Sequence, residues 1–128
     1  MEYIQSNKEA WDEAFSYHQK GYANRPIADC LDSKWAFIKE EFKQELKLQN
    51  FLHKNIAQFC CNNGRELLSI VNSGAKAGTG FDISTNFINE AKRIAEQKGI
   101  NCSFHCTSIQ DIDSSFQNTY DIVFSTIG

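Results

Sequence analysis

The chain has 128 residues, 41% of them apolar and 23% charged, with a formal net charge of −3 and a single proline, Pro26. That composition suits one domain with one core and excludes a disordered chain. The acidic balance argues against a basic face for nucleic acid, and no apolar run approaches the ~18 residues that cross a bilayer. The acidic, amphipathic start MEYIQSNKEAWDEAF does not read as a secretory signal.

In chain order, Ser6-Asn7-Lys8-Glu9 has the form of a capping box and opens a helix along which Trp11, Phe15 and His18 recur at helical spacing. Gly21 to Ala28 breaks the pattern. Asp32 or Ser33 is expected to cap a second, longer helix, with Trp35, Ile38, Phe42, Leu46 and Leu52 near one face and Lys39, Glu40, Lys43 and Lys47 on its solvated side. Ile56 to Cys61 is a strand. Arg65 to Asn72 is a helix with Leu67, Leu68 and Val71 inward and Gly74 after it. Ala75 to Phe81 is a weak strand interrupted by Gly78 and Gly80. Ser84 caps a helix running to about Lys98, with Phe87, Ala91, Ile94 and Ala95 inward and Gly99 as its stop. Cys102 to Cys106 alternates as a strand with Ser103 and His105 on the opposite face; His105 reads as structural. Tyr120 to Ile127 is a fourth strand, whose Ile122, Val123 and Phe124 suit burial on both faces.

Alternating strands and helices require parallel pairing with right-handed crossovers. The ligand site of such a sheet lies outside the carboxyl ends of its strands. That rule selects Cys60–Gly64, Asp82–Ser84, Thr107–Ile109 and Ser125–Gly128.

Cysteines number five, Cys30, Cys60, Cys61, Cys102 and Cys106, and the odd count argues for a reducing, cytoplasmic setting. Cys102 and Cys106 share a face with Phe104 and are expected as small core residues. A zinc site is disfavoured because no CxxC or HxxxH spacing occurs.

Three pieces, NNGRELLSI at Asn62–Ile70, GFDIS at Gly80–Ser84 and YDIVFSTIG at Tyr120–Gly128, carry a resemblance to the class I S-adenosylmethionine-dependent methyltransferases. It covers Ile56 to Gly128, with a looser echo in NKEAWDEA at Asn7–Ala14, and lies in the order and spacing of the pieces. The family's first strand runs into a turn of the type acidic-x-Gly-x-Gly-x-Gly. Here Gln58 takes the acidic position, Cys60 and Asn62 the first two glycines, and Gly64 the third. Asn tolerates positive φ. Cys60 puts a thiol where a glycine lets the backbone approach the ligand, and Gln58 lacks a charge often used for the methionine end or the turn.

The resemblance implies a Rossmann-like doubly wound parallel sheet, truncated to about four strands in the order 3-2-1-4, preceded by two N-terminal helices. Residues 1–55 are then a helical segment of lid or cap helices, and residues 56–128 an incomplete half-domain binding S-adenosylmethionine as co-substrate. Cys60, Cys61, Asn62, Asn63 and Gly64 form the donor turn. Asp82 is the ribose anchor, unless it is only a carboxylate favoured by the helix dipole. Ile83 is the apolar wall beside the adenine; Ser108 stands where the family often bonds the adenine amino group, and Ile109 packs on the ring. Ser125 closes the site at the fourth strand. Asp111 falls two or three residues late and reads as a loop acid. Trp11 is either a lid over the cofactor or core. No catalytic base and no metal ligand is indicated.

Because the family's sheet continues beyond the fourth strand and builds the acceptor pocket there, the 128-residue chain alone is expected to be inactive. It is then either a piece of a longer protein or a chain that self-associates through its fourth-strand edge. A non-catalytic binding or assembly module stays open, favoured by the altered glycine turn. A nicotinamide-binding Rossmann domain fits less well, because its fingerprint positions hold Cys60, Asn62 and Arg65. The methyl acceptor is not indicated.

Overall fold

A computed structural model describes residues 27–108, 111 and 119–125; the Ser6–Glu9 capping box, Trp11, Phe15, His18, Ile109 and the residues after Ser125 lie outside them. The described elements are α1 (Ile27–Cys30), α2 (Glu40–Leu48), β1 (Asn55–Phe59), α3 (Arg65–Asn72), β2 (Ala77–Asp82), α4 (Thr85–Lys98), β3 (Cys102–Cys106) and β4 (Ile122–Ser125). The strands form one parallel sheet in the order β3-β2-β1-β4. This is the expected Rossmann-like arrangement, and it places the start of α3, the start of α4 and the end of β4 along one rim.

Register fixes the two faces. Gln58 lies opposite Gly80 and Phe124, and Gly80 opposite Phe104. A Cβ on Gly80 would lie 2.7 Å from Phe104 Cδ1 and 2.9 Å from Cys61 Sγ. The strand therefore runs unbroken through the glycine that was expected to weaken it, because only a bare backbone leaves room for the Phe104 ring. On this face α3 contributes Leu67, Leu68 and Ile70, and α4 contributes Ile88, Ala91, Ile94 and Ala95, all buried in one core with Phe104. Phe42 of α2 reaches the same face, its ring 4.9 Å from that of Phe124. The other face carries a row of rings, Phe59 on Phe81 on His105, each pair 5.4 Å apart and nearly parallel. His105 is thus a stacked structural side chain, as expected.

Helix ends follow local chemistry. Ser84 Oγ accepts the Phe87 N–H at 3.3 Å, and Gly99 closes α4 with φ +66°.

Four expectations need correction. The helix expected from Asp32 or Ser33 to Leu52 is only Glu40–Leu48, and a short helix, Ile27–Cys30, begins inside the expected break of Gly21 to Ala28. Trp35 (φ +64°) and Phe37 (φ +66°) are left-handed, which stops any helix running through them. The Trp35 N–H donates to Ser73 Oγ at 3.0 Å and its ring meets Phe51 edge-on at 5.1 Å, so distant contacts hold this bend. Leu52, expected inward, is 49% exposed. Cys106, expected in the core, is exposed at the end of β3, the edge strand among the described residues, with its thiol 3.6 Å from Thr85 Oγ1 at the start of α4. Val123 is 46% exposed, since β4 pairs with β1 alone among the described residues and is covered mainly on the Phe42 side.

Burial pushes the Cys102 thiol up to about 12 from an ordinary 9.0, against a lowering by a hydrogen bond to the Gly78 backbone. The unfolded thiol ionises near 9.0 while the folded one stays protonated. Its stabilising contribution is therefore whole below pH 9.0 and lost as pH rises to about 12. The expected decline is roughly 1.4 kcal/mol for each pH unit in that window. Between about pH 8, below that window, and about pH 10.5, inside it, urea midpoints should fall less steeply for Cys102→Ala than for the parent; equal declines would refute this.

Candidate functional site

β1 hands the chain to α3 through a turn in which Cys60, Asn62 and Gly64 have φ of +55°, +54° and +75°. These are the three positions where the family pattern has glycine. The backbone keeps that alternation of left-handed residues although two of the glycines are gone. The Cys61 N–H donates to the Phe81 carbonyl at 3.0 Å and the Gly64 N–H to the Cys61 carbonyl at 2.8 Å, which fixes the turn against β2 and closes it.

Asp82, only 5% exposed, straps this turn to the start of α4. Its Oδ2 accepts the Asn62 N–H at 2.9 Å and its Oδ1 accepts the Ser84 N–H at 2.9 Å. The Asp82 carbonyl also accepts the Thr107 N–H at 2.8 Å, linking the end of β3. The helix-start reading of Asp82 is therefore what the geometry displays, without excluding the ribose role.

Around that strap the other expected residues gather unequally. The Cys60 thiol, half-buried, hydrogen-bonds Ser125 and so joins the ends of β1 and β4. Burial first, and the nearby Asp82 carboxylate second, push its pKa up, against the Ser125 bond, which lowers it. Cys61 is fully buried and raised further, by burial, then by Asp82 and Glu66. Both thiols stay protonated at neutral pH. Ser108 Oγ donates to Asp111 Oδ2 at 3.0 Å, and the Asp111 N–H returns to the Ser108 carbonyl at 3.1 Å. Asp111 is thus the carboxylate that fixes the Ser108 hydroxyl, a role the sequence did not suggest. Ile83 is half-buried, its carbonyl accepting from the Cys106 thiol at 3.5 Å. Trp11 and Ile109 lie outside the described residues.

Three acceptors at the start of α3 have no hydrogen-bond partner: Asn62 Oδ1, Asn63 Oδ1 and Glu66 Oε2, all buried. Sequence reasoning missed Glu66; its only visible mark was an acid two residues after the last turn glycine. Among the described residues no group of three or more His, Cys, Asp or Glu side chains is placed to hold a metal. No described helix is long and apolar enough to cross a membrane.

The family model described as "Methyltransferase domain" matches residues 56–128, from the first residues of β1 to the end of the chain. The chain belongs to that family. An uncharacterised protein of Methanocaldococcus jannaschii is 30% identical over 71 residues, covering 56% of this chain and 32% of that protein. This methyltransferase domain also superposes on the magnesium protoporphyrin IX methyltransferase of Synechocystis PCC 6803 with bound SAH, with a TM-score of 0.69 at 14% identity, over 95% of this chain and 57% of that one. An RNA methyltransferase of Salinibacter ruber in complex with S-adenosylhomocysteine gives a TM-score of 0.59 at 17% identity, over 68% of this chain and 57% of that one. At these identities the structures share the fold. The domain spans about a third of the length of its curated relative and little more than half of these two structures.

Proposed function

We propose that this domain binds S-adenosylmethionine as a co-substrate along the rim formed by the ends of β1, β2 and β3, as the donor-binding part of a methyltransferase. The observation that carries this is the turn: left-handed residues at Cys60, Asn62 and Gly64, tied by the Asp82 carboxylate to the start of α4. Methyltransferases of the same fold hold SAM or SAH, which supports the choice of ligand. In this reading Asp82 accepts from the ribose hydroxyls, Ile83 and Ile109 flank the adenine, Ser108 faces its amino group, and residues 1–55 supply the cap, with Trp11 in it.

The bound donor supplies a methyl group already activated on a sulfonium. The domain's own part is to hold and orient it, and alignment alone is worth ~7–11 kcal/mol of such a barrier. Cys60 fits this role passively. Burial and Asp82 keep its thiol protonated, and a protonated thiol does not compete with the acceptor for the methyl group.

The second reading, a non-catalytic binding or assembly module, draws on the thiol at the first glycine position and the neutral Gln58. Calorimetry with S-adenosylmethionine, S-adenosylhomocysteine and NAD separates the readings. The first two should bind and NAD should not; silence from all three would overturn the donor reading and leave the module. The free cysteines support a cytoplasmic setting. The β4 edge, with Val123 exposed, supports self-association or completion of the sheet by further strands. A stable monomer of this chain in sedimentation at high concentration would overturn the self-association.

A further inference from the structure

Glu66 stands in the first turn of α3, with its Oε1 3.7 Å from Arg65 Nε and its Oε2 buried and unpartnered. Asn62 Oδ1 and Asn63 Oδ1 are in the same condition, and Asn63 is only 5% exposed. A buried acceptor without a donor costs about 1–3 kcal/mol, and more when charged. Such groups in native structures are explained by a ligand, an ion or water. An Asn amide turned over would offer N–H groups instead. A carboxylate has no such choice: ionised Glu66 only accepts.

The three acceptors fall within five consecutive residues, at the turn that carries the donor reading. The three unpartnered atoms are all acceptors, and Glu66 cannot be otherwise when ionised; acceptors are what an ammonium group requires, since it has three N–H bonds and no lone pair. The charges agree. Two carboxylates, Asp82 on the Asn62 N–H and Glu66 beside the Arg65 guanidinium, belong to a turn whose thiols are neutral. That leaves the site one negative charge in excess, against a donor with a sulfonium, an ammonium and one carboxylate.

We infer that Glu66, together with Asn62 and Asn63, seats the α-ammonium of the donor's aminoacyl end. Glu66 thereby supplies, from the start of α3, the charge that Gln58 lacks at the end of β1. The inference rests on the donor reading above but assigns it residues and a ligand group that the reading does not contain.

Binding of S-adenosylhomocysteine, of its deamino analogue and of 5′-methylthioadenosine, which lacks the whole aminoacyl end, tests it. The parent chain should prefer S-adenosylhomocysteine over the deamino analogue by about tenfold or more, the size of a charge-assisted hydrogen bond. Glu66→Gln should lose most of that preference and leave 5′-methylthioadenosine affinity unchanged, with its thermal midpoint as a check on folding. Asn63→Asp, which adds a second charge, should widen the preference and decides the matter if Glu66→Gln does not fold. A preference that survives in folded Glu66→Gln overturns the assignment. So does a parent chain that binds 5′-methylthioadenosine but ignores the amino group, which would mean that buried water fills these acceptors. If no adenosine ligand binds the parent at all, the donor reading falls, and this inference with it.

Discussion

Asp82→Asn should lower the thermal midpoint of the ligand-free chain by roughly 10 °C, the scale of about 3 kcal/mol in a domain of this size. Both carboxylate oxygens accept backbone N–H groups, from Asn62 and Ser84, at 2.9 Å, in a setting 5% exposed. An amide has one oxygen. Its NH2 must then face one of the two N–H donors, leaving that donor buried and unpaired, and the charge assistance is lost for the other. Because Asn62 has φ +54°, releasing its N–H also frees a strained turn. Hydrogen exchange should therefore show the Asn62 and Ser84 amides losing protection together, before any ligand is added. On the proposed donor reading, affinity for S-adenosylmethionine should fall below detection, since the same substitution loosens the turn and removes the proposed ribose acceptor. The exchange measurement separates the two effects. An Asp82→Asn chain that keeps its midpoint within about 1 °C and its amide protection would show that the strap is not structural. Lost affinity would then belong to the ribose contact alone.

This strap shows where reading the sequence stopped. Ser84 as a cap, Gly99 as a stop and the bounds of β3 at Cys102 and Cys106 were all legible, because each depends on neighbours a few residues away. Asp82 was legible as an acid at a strand end. Its partner Asn62 lies 20 residues back, and only the parallel pairing of β1 with β2 brings them together. The bend at Trp35–Phe37 failed for the same reason. Trp35, Ile38, Phe42 and Leu46 keep helical spacing, yet the Trp35 N–H is claimed by Ser73, 38 residues away. Cys106 failed differently: alternation tells which face a residue takes but not that β3 is the edge strand among the described residues. At the turn, substitution hid the pattern while the backbone retained it, since Asn62 and Cys60 adopt the left-handed conformation that glycine adopts more readily. Glu66 and its unpartnered oxygen had no sequence signal beyond position, because orphaned acceptors are a property of packing.

Gly64→Ala should be strongly disruptive, costing about 2–5 kcal/mol, from a left-handed term of about 1–2 and an overpacking term of about 1–3. Gly64 has φ +75°, and a Cβ there would lie 2.6 Å from Phe104 Cε1, 2.7 Å from Phe104 Cζ and 3.1 Å from Ala91 Cβ. The ring is 3% exposed and wedged between the turn and β2, so it has nowhere to move. Gly99 isolates the conformational term: its φ is +66°, with nothing within 4 Å of a Cβ. Gly99→Ala should therefore cost only about 1 kcal/mol. Phe104→Leu removes the two ring atoms that collide and isolates the steric term. In the double variant Gly64→Ala with Phe104→Leu, denaturant unfolding should show a favourable coupling of about 1–2 kcal/mol, as expected for residues in contact. What remains uncorrected should match the Gly99→Ala cost. Additive behaviour of Gly64→Ala and Phe104→Leu would mean that the third glycine is kept for its backbone angle alone. Coupling would mean that it is also kept as the space into which the β3 ring packs, which holds the β1–α3 turn flat against the sheet.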